Sequence, residues 1–332
     1  MKAFELHGYG GPEVMRFGER AEPRPGPRDV VIDVRAASLN PLDYKIRQGK
    51  VRPVLRLQLP AVIGSDVAGV VRAVGAEVTR LAVGDEVFAR LEKGRMGGLA
   101  EQVAAAEEVV ARKPRSISFE EAAAVPLAGL TALQGLREAA RVQPGQRVLI
   151  HAGAGGVGTL AIQIAKQLGA WVATTTSTRN VELVRELGAD DVVDYTKEDV
   201  GRLGQLDAVF DTLGGASEIQ ALGLVKRGGV VVGIGGLPDV DFARSSMPWW
   251  APPAIWLATA RRRRAAARAG ARFVYLFMRP DGAQLAELGA WIDAGTLRPV
   301  LHRTYRFAEV ADAFAELERG RARGKIVVSM QA

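Results

Sequence analysis

A glycine-rich segment near the middle of the chain has residue types and a spacing suited to binding phosphate. Gly153, Gly155 and Gly158 follow a short apolar run at residues 147–151 and precede a run typical of a helix. The first glycine permits a tight turn, the second lets the backbone approach a pyrophosphate, and the third allows the helix to pack closely on the strand. The N–H groups at the start of that helix would bind the phosphates. This context predicts a dinucleotide-binding turn.

The residues after the next strand indicate which dinucleotide is bound. In NAD-binding domains an acidic residue about 20 positions beyond the glycines binds the ribose 2′-hydroxyl. Residues 171–180 contain no acidic residue, and Ser177 and Arg179 supply a hydroxyl and a guanidinium suited to a 2′-phosphate. The two could also be a capping serine and a surface arginine. The missing acid leads us to predict NADPH rather than NADH.

Metal and thiol chemistry have few candidate residues in this chain. Cysteine is absent, and the three histidines, His7, His151 and His302, are far apart in the sequence. The missing cysteines exclude a disulfide framework and a thiol nucleophile, and the scattered histidines argue against a zinc site. We predict no bound metal, and we interpret His151 as a packing residue at the end of a strand.

The elements that must position these residues change in type along the chain. Residues 1 to about 120 show short strands separated by glycine and proline, whereas strands then alternate with helices of 8–12 residues, the first of which has Ser118 as its expected N-cap. Such alternation predicts a parallel sheet with both faces covered. The final segment returns to short strands. We therefore predict an α/β protein in which a doubly wound Rossmann domain, residues 122–278, is inserted in a discontinuous β-rich domain, residues 1–121 plus 279–332.

Residues 237–270 interrupt this alternation with prolines, three tryptophans and a run of four arginines, Arg261 to Arg264. We expect Pro252 and Pro253 to interrupt any helix through the tryptophans, and the arginines to lie on a solvated helical turn. The segment would then flank a substrate cleft or form a contact surface. Because basic residues beside aromatic ones also suit a membrane interface, residues 249–272 are an alternative membrane-surface contact.

The composition limits the class of protein. The chain has 332 residues, of which 48% are hydrophobic and 24% charged, values that exclude disorder, collagen or coiled coil as descriptions of the whole chain. The net charge of +7 is compatible with nucleic-acid binding, but the basic residues are spread along the chain and we expect no nucleic-acid partner. Residues 1–6 alternate charged and apolar types, so we expect no signal peptide, no membrane span and a cytoplasmic location.

Several further segments occur in an order typical of one superfamily. They are residues 37–49 (ASLNPLDYKIRQG), 59–69 (LPAVIGSDVAG), 84–87 (GDEV), 125–132 (VPLAGLTA) and 323–328 (RGKIVV). Together with the glycine turn they resemble the medium-chain dehydrogenase/reductase superfamily, and within it the zinc-free branch of quinone oxidoreductases, which includes zeta-crystallin-like proteins, and enone reductases. The resemblance covers essentially the whole chain and implies a GroES-like fold for the β-rich catalytic domain.

The resemblance also implies a reaction. Zinc-dependent members carry cysteine at or near Asn40 and Gly-His-Glu where this chain has Gly64, Ser65 and Asp66. Without a Lewis acid an alcohol is hard to oxidise, whereas an electrophilic acceptor can still be reduced. The implied activity is metal-independent hydride transfer from NADPH to a quinone or to the β-carbon of an α,β-unsaturated carbonyl. The implied partners are that small-molecule substrate and a second copy of the chain in a homodimer.

Single residues acquire roles from the same resemblance. Asn40 would donate a hydrogen bond near the nicotinamide and the substrate carbonyl, Lys45 would bind NADPH or stabilise an enolate-like oxygen, and Asp43 would orient Lys45; Asn40 and Asp43 could instead be a turn pair before a helix. The implied cofactor-binding residues are Lys45, Thr131, Gly153, Gly155, Gly156, Val157, Gly158, Ser177, Thr178, Arg179, Asn180, Tyr195, Leu213, Gly233, Ile234, Gly235, Arg323, Gly324 and Lys325. Tyr195 could also be a half-buried surface tyrosine.

A second hypothesis remains open. A chain with these motifs could bind the cofactor with little turnover and act at a nucleic acid or a membrane surface. The arginine run is the sequence feature that favours this hypothesis.

Overall fold

The computed structural model describes residues 1–52 and 54–330. In that part of the chain the strands are β1 (Lys2–Leu6), β2 (Met15–Glu19), β3 (Asp29–Leu39), β4 (Ala61–Val62), β5 (Asp66–Val74), β6 (Glu86–Arg90), β7 (Gln102–Ala106), β8 (Val110–Arg112), β9 (Arg147–Ile150), β10 (Trp171–Thr176), β11 (Asp191–Asp194), β12 (Leu206–Asp211), β13 (Val225–Gly233), β14 (Arg272–Tyr275), β15 (Leu301–Arg306) and β16 (Lys325–Ser329). The α-helices are α1 (Pro41–Arg47), α2 (Phe119–Ala123), α3 (Pro126–Leu133), α4 (Gly156–Gln167), α5 (Val181–Glu186), α6 (Ala216–Leu224), α7 (Val240–Ser246), α8 (Ala251–Ala258), α9 (Ala260–Ala269), α10 (Gly282–Asp293) and α11 (Val310–Glu318). They form two compact units, the first made of Met1–Leu130 and Arg279–Ala332 and the second of Thr131–Met278.

The first unit is built on a mostly antiparallel sheet. Its strands follow the order β15-β16-β3-β5-β6-β8, with β7 also paired to β3, and a smaller sheet has the order β2-β1-β4. Strand β3 is apolar at most positions, and accordingly most of its side chains are buried. Strand β16 pairs with β3 so that Ile326 lies opposite Leu39. The start of β16 is therefore beside the end of β3, although the two are far apart in sequence.

The second unit contains a six-stranded sheet in the order β11-β10-β9-β12-β13-β14, and all of these pairings are parallel. Counted from β9, the order is 3-2-1-4-5-6, which is that of the Rossmann fold. The predicted doubly wound domain is confirmed, while the domain limits at 121/122 and 278/279 stay a prediction. Each helix in the described segments is too short or too polar to traverse a lipid bilayer.

The segment between β13 and β14 forms the three helices α7, α8 and α9. Pro252 and Pro253 lie in the first turn of α8. There the missing N–H groups would have no partner within the helix, and the restricted φ of proline suits helical geometry. The two prolines begin α8, so that Trp249 and Trp250 lie before the helix and Trp256 lies within it. The expectation that the three tryptophans do not share one regular helix is therefore confirmed.

Candidate functional site

The glycine turn leads from β9 directly into α4. A side chain at Gly153 would place its Cβ 2.0 Å from Oγ1 of Thr174, and one at Gly158 would place its Cβ 2.3 Å from the carbonyl oxygen of Ala152. Because neither position has room for a side chain, both require glycine. The turn is thus packed closely against a side chain of β10 and against its own backbone, as expected of a pyrophosphate-binding turn.

The N-terminus of α4 has the open backbone that a phosphate needs. Gly155 is the N-cap and makes no side-chain capping bond, and Gly156 and Val157 form the first turn of this 12-residue helix. The N–H groups of this turn have no acceptor within the helix, and the helix dipole is positive at this end. A dinucleotide pyrophosphate therefore fits the residues at this turn.

His151 lies at the end of β9, below the turn, and is 4% exposed. Its Nδ1 is 3.1 Å from Oγ1 of Thr175, which also accepts a hydrogen bond from the N–H of Ala152. Burial lowers the pKa of His151, and the nearby charge of Asp211 opposes that shift. His151 is therefore a buried ring at the strand end, in line with the packing role that we interpreted from the sequence.

The turn after β10 gathers the residues predicted to bind a 2′-phosphate. Ser177 occupies the N-cap position of a short 3-10 turn formed by Thr178, Arg179 and Asn180, without a side-chain capping bond. The Asn180 amide donates to Ser177 Oγ at 3.3 Å, and Asn180 Oδ1 is buried without a partner among the described residues. Thr178 and Arg179 are exposed. The structure thus brings these four residues together at one strand end.

One carboxylate, that of Asp194, also lies at this turn. It accepts hydrogen bonds from the Thr178 hydroxyl at 2.5 Å and from the Thr196 hydroxyl and N–H at 2.6 and 3.1 Å. These bonds lower the pKa of Asp194 to about 2. Both of its oxygens are therefore used by the chain itself. Tyr195, which follows it, is 64% exposed.

A backbone hydrogen bond and close packing connect the end of β12 and its loop with the loop after β13. The Leu213 N–H donates to the Asp211 carboxylate at 2.9 Å, and the Ile234 N–H donates to the Asp211 carbonyl at 3.0 Å. A Cβ at Gly235 would lie 2.8 Å from a carbonyl of the loop after β12, and one at Gly233 would lie 2.8 Å from an aromatic ring. The predicted residues of this region, including the exposed Leu213, therefore form one close-packed loop pair.

Arg262 of α9 holds the loop after β13 and was missed by sequence analysis. Its guanidinium donates to the Glu218 carboxylate at 2.7 Å and to the carbonyls of Leu237 and Pro238 at 2.7 and 2.9 Å. It also lies 3.8 Å from the ring centroid of Phe273. Burial raises the pKa of Glu218, and Arg262 opposes the shift. Both side chains of this ion pair are almost fully buried.

The prediction that the arginine run is solvated is wrong for Arg262. Arg261 and Arg264 are exposed, but Arg262 is on the inner face of its helix. Ile255, Thr259 and Arg262 are buried at i, i+4 and i+7. That helical spacing is the signal that could have separated Arg262 from its neighbours.

A buried polar cluster lies in the first unit, where β3, β5 and β16 meet. The Asp66 carboxylate, which is 0% exposed, accepts hydrogen bonds from Ser38 Oγ at 3.0 Å, Asn40 Nδ2 at 2.9 Å and the Leu127 N–H at 2.9 Å. Its Oδ2 is 3.5 Å from Lys325 Nζ. Asp66 is thus a fully paired buried anion with Lys325 as its counter-ion.

Lys325 was predicted to bind the cofactor, but its ammonium contacts acceptors of the first unit instead. The ammonium donates to the Leu39 carbonyl at 3.1 Å and to Asn40 Oδ1, and its third N–H faces Asp66. Burial lowers the pKa of Lys325, and the charges of Asp66 and Asp43 oppose that shift. An ammonium has three N–H groups, so none remains for a cofactor. The Asn40 amide retains one N–H beyond its bond to Asp66.

Asp43 does not orient Lys45, and that prediction is wrong. The Asp43 carboxylate accepts the backbone N–H of Asn40 at 2.7 Å and so caps α1. Burial raises its pKa to about 7, the Asp66 charge adds to the shift, and Lys325 opposes it. Residues two apart on a helix do not face each other. Lys45 is half-buried on another face, and Asn40 and Asp43 form the turn pair that the sequence left as an alternative.

Sequence analysis also missed Asp66, Ser38 and Arg90 as members of the buried cluster. Arg90 is 3% exposed and donates to the carbonyl of Leu91, and burial lowers its pKa while Asp66 and Asp43 oppose the shift. The signal available was a charged residue at the end of an apolar strand, since Asp66 begins β5 and Arg90 ends β6.

The predicted site residues therefore divide into two groups. Those of the first unit are Asn40, Asp43, Lys45, Arg323, Gly324 and Lys325, and the others, including the buried Thr131 of α3, belong to the second unit. Gly324 has a φ of 82°, and a Cβ there would lie 2.1 Å from the Val300 carbonyl. Among residues 1–52 and 54–330 there is no group of three or more His, Cys, Asp or Glu side chains that could hold a metal ion.

Comparison with known proteins identifies the family. A family model described as an alcohol dehydrogenase GroES-like domain matches residues 26–115, and one described as a zinc-binding dehydrogenase matches residues 187–328. A 2-methylene-furan-3-one reductase of Solanum lycopersicum is 38% identical over 99% of this chain and 79% of its own length. The chain belongs to the medium-chain dehydrogenase/reductase superfamily.

Two further members of that superfamily are similar to this chain. An NADPH-dependent alkenal/one oxidoreductase of Arabidopsis thaliana, a chloroplastic protein, is also 38% identical over 99% of this chain and 79% of its own length. The structure of the quinone oxidoreductase from Coxiella burnetii superposes with a TM-score of 0.86 at 34% identity, covering 100% of this chain and 99% of the other. The predicted superfamily and the combination of a GroES-like with a Rossmann domain are confirmed.

Proposed function

We propose that this chain is a metal-independent, NADPH-dependent reductase that transfers hydride to the β-carbon of an α,β-unsaturated carbonyl or to a quinone. Its similarity to an alkenal/one oxidoreductase, a furanone reductase and a quinone oxidoreductase supports NAD(P)H-dependent oxidoreductase activity as a class. The choice of acceptor and the metal independence are the finer parts of the proposal.

The choice of NADPH rests on the side chains found at the turn after β10. It presents a hydroxyl, an amide and a guanidinium, from Ser177, Asn180 and Arg179, and the carboxylate beside it, that of Asp194, already accepts hydrogen bonds at both oxygens. A free carboxylate would bind a ribose 2′-hydroxyl and repel a 2′-phosphate. With that carboxylate occupied, the turn favours a phosphate.

Residues of the second unit would hold the rest of the dinucleotide. When bound, NADPH supplies the hydride. The N-terminal turn of α4 would bind the pyrophosphate, Tyr195 would cover the adenosine end, and Thr131 with the loop from Gly233 to Gly235 would contact the nicotinamide. Because Arg262 pairs with Glu218 and donates to the carbonyls of Leu237 and Pro238, just beyond that segment, we assign Arg262 and Glu218 a positioning role.

Residues of the first unit would act on the acceptor. Reduction of an enone places negative charge on its oxygen, and a hydrogen-bond donor directed at that oxygen lowers the barrier. Lys45 carries a full positive charge and is not paired with Asp43. Asn40 has one amide N–H left, and its orientation is held by Asp66 and Lys325. We propose Lys45 as the main donor and Asn40 as the second.

The acceptor class is tested by following NADPH oxidation with a panel of short enones and quinones and by identifying the products. We expect turnover with at least one panel member, and a saturated carbonyl as the product from an enone. An enone whose carbonyl is reduced to an alcohol, or the lack of turnover with both classes, would contradict the proposal.

The role of Lys45 is tested by Lys45→Ala, with the exposed Lys50→Ala as the matched control. Loss of one oxyanion donor costs about 10²–10³ in turnover in other enzymes. We expect turnover with an enone to fall at least about tenfold at saturating NADPH and Lys50→Ala to behave like the wild type. If only the KM for NADPH rises, Lys45 binds the cofactor and hydride positioning is the main contribution of the chain.

The second hypothesis, a weakly active cofactor-binding protein with a nucleic-acid or membrane-surface role, predicts cofactor binding without turnover in the same panel. The homodimer and the cytoplasmic location stay predictions. Sedimentation and cell fractionation test them.

A further inference from the structure

Exposed apolar side chains form a surface on the solvent-facing side of helix α8 and on the two residues before it. Trp249 is 88% exposed, Leu257 71%, Trp256 54% and Trp250 52%. The helix buries Ala251 and Ile255 on its inner face, yet its outer face is also apolar, since the exposed positions 253, 254 and 258 are proline and alanine. Single exposed apolar side chains are ordinary, but a contiguous group with three tryptophans marks a site of interaction.

A basic surface follows on helix α9. Arg261, Arg264 and Arg268 are exposed at i, i+3 and i+7 and so share one face. Within the described residues none of the three forms an ion pair. Between Asp241 and Asp281 the sequence holds eight arginines and no acidic residue. The local charge is therefore strongly positive and has no counter-ion of its own on this face.

The two surfaces are joined by Arg263. Its guanidinium lies 4.1 Å from the ring centroid of Trp256 and donates to the Trp256 carbonyl at 2.8 Å. Arg262, on the opposite face, ties the same helix to the Rossmann unit through Glu218. The tryptophans and the exposed arginines therefore belong to one structured surface. We call it the Trp–Arg surface and define it by Trp249, Trp250, Trp256, Leu257, Arg261, Arg264 and Arg268.

We propose that the Trp–Arg surface docks on an anionic lipid bilayer. Tryptophan prefers the boundary between lipid headgroups and acyl chains, and leucine gains by insertion there. Arginines beside it attract anionic headgroups. A bilayer of this kind offers an apolar and a negative environment at once, which matches both halves of the surface. The proposal does not depend on the reductase activity, because no residue of the proposed site belongs to this surface.

Charge complementarity favours lipid over two other partners. A second copy of the chain packed symmetrically on this surface would bring no carboxylate to the exposed arginines, since the surface contains none. A nucleic acid would neutralise the arginines but would leave Leu257 and Trp249 in water. Both alternatives become outcomes of the test.

The test is flotation of the full chain with vesicles of phosphatidylcholine alone or mixed with phosphatidylglycerol, at low and at physiological salt. We expect binding to the mixed vesicles that weakens with salt, and little binding to phosphatidylcholine. Arg261→Gln/Arg264→Gln/Arg268→Gln should lower the partition coefficient at least about tenfold at low salt, because each arginine contributes roughly a factor of five. Trp249→Ser/Leu257→Ser should also lower it, and all five side chains are exposed, so these variants should fold.

The matched control is Arg24→Gln/Arg35→Gln/Arg56→Gln, which removes the same charge from exposed positions of the first unit. It should bind vesicles like the wild type, and a loss equal to that of the α9 variant would overturn the proposal in favour of general charge attraction. Sedimentation gives the second check. If Trp249→Ser/Leu257→Ser turns a dimer into a monomer without changing vesicle binding, the surface is an interface between copies. Salt-sensitive binding to a short oligonucleotide without vesicle binding would also overturn the proposal.

Discussion

Asp66 and Asp43 are both fully buried, but the chain satisfies their charges differently. Asp66 accepts three hydrogen bonds and lies near Lys325, whereas Asp43 accepts one and its Oδ1 has no partner among the described residues. A buried carboxyl group with few partners favours its protonated form. This difference explains why burial raises the pKa of Asp43 to about 7.

The free energy of unfolding should reflect this shift. The pKa of Asp43 is about 7 in the folded chain against 3.8 for the free side chain. Between these values the folded state holds a proton that the unfolded state has lost, so the Asp43 contribution is full below about pH 4 and disappears as the pH rises through 7. Asp43→Asn keeps an acceptor for the Asn40 N–H and removes the titration. We expect urea unfolding to show a smaller fall in stability between pH 4 and 7 for Asp43→Asn than for the wild type.

The exposed acid Asp312 provides the control, because Asp312→Asn should leave the pH dependence unchanged. Each pKa unit corresponds to about 1.4 kcal/mol, so the difference between the curves should be measurable. Parallel curves for the wild type and Asp43→Asn would contradict the raised pKa.

Cofactor selectivity is the second property that belongs to single residues. Loss of a charge-assisted contact to phosphate costs about 1.5–3 kcal/mol, or roughly 10- to 150-fold in affinity. Arg179→Ala should therefore weaken NADPH by this factor and leave NADH almost unchanged in a binding titration. Arg185→Ala, an exposed arginine on α5, should change neither affinity. Equal weakening of both cofactors by Arg179→Ala would refute the assignment of the 2′-phosphate pocket.

At the scale of the elements, helix α9 has one face that packs inside the protein and another that faces water. Its inner face presents Arg262 to Glu218 and to the loop after β13, and its outer face presents exposed arginines to water. Removing one partner of a buried ion pair leaves an uncompensated charge, which costs about 3–5 kcal/mol. Arg262→Met should therefore lower the free energy of unfolding by about 3 kcal/mol. It should also raise the KM for NADPH more than it lowers kcat.

Two further variants separate the ion pair from the helix. Arg264→Met changes an exposed side chain of α9 and should alter stability by no more than about 0.5 kcal/mol. The double variant Arg262→Met/Glu218→Gln removes both charges and should recover part of the loss. If the double variant is as unstable as the sum of the single variants, the pairing of Arg262 with Glu218 contributes little.

The elements were predictable from the sequence wherever the signal is local. The glycine turn between β9 and α4 and the Ser118 cap of α2 depend on residues within a few positions of each other. The pairing of Arg262 with Glu218 and of Lys325 with Asp66 depends on residues far apart in sequence. Within a run of four arginines the sequence does not show directly which one is buried, because burial depends on how the helix is oriented on the rest of the fold. The sequence therefore predicted the glycine turn at which the cofactor is proposed to bind, but not the buried ion pairs.

For the whole molecule, the composition leads to a prediction about metals. Cysteine is absent and the three histidines are far apart in the sequence, so the sequence offers no cluster of cysteine and histidine ligands for zinc. Elemental analysis of the purified protein should find no stoichiometric metal, and a chelator should leave NADPH oxidation unchanged. One tightly bound zinc ion per chain would refute metal independence and with it the proposed role of Lys45.

The pairing of β16 with β3 has a consequence for how the protein is made. On the ribosome, Asp66 emerges long before Lys325, its counter-ion, and at about 5–20 residues per second the delay is on the order of 10 to 50 s. During that time residues 36–39 of β3 lack their partner strand β16, and Asp66 lacks the Lys325 ammonium. The strands of the Rossmann unit, from β9 to β14, are contiguous in the chain and all precede β16. All strands of the Rossmann sheet are therefore available before the sheet of the first unit is complete. That sheet cannot form fully until β16 has been synthesised.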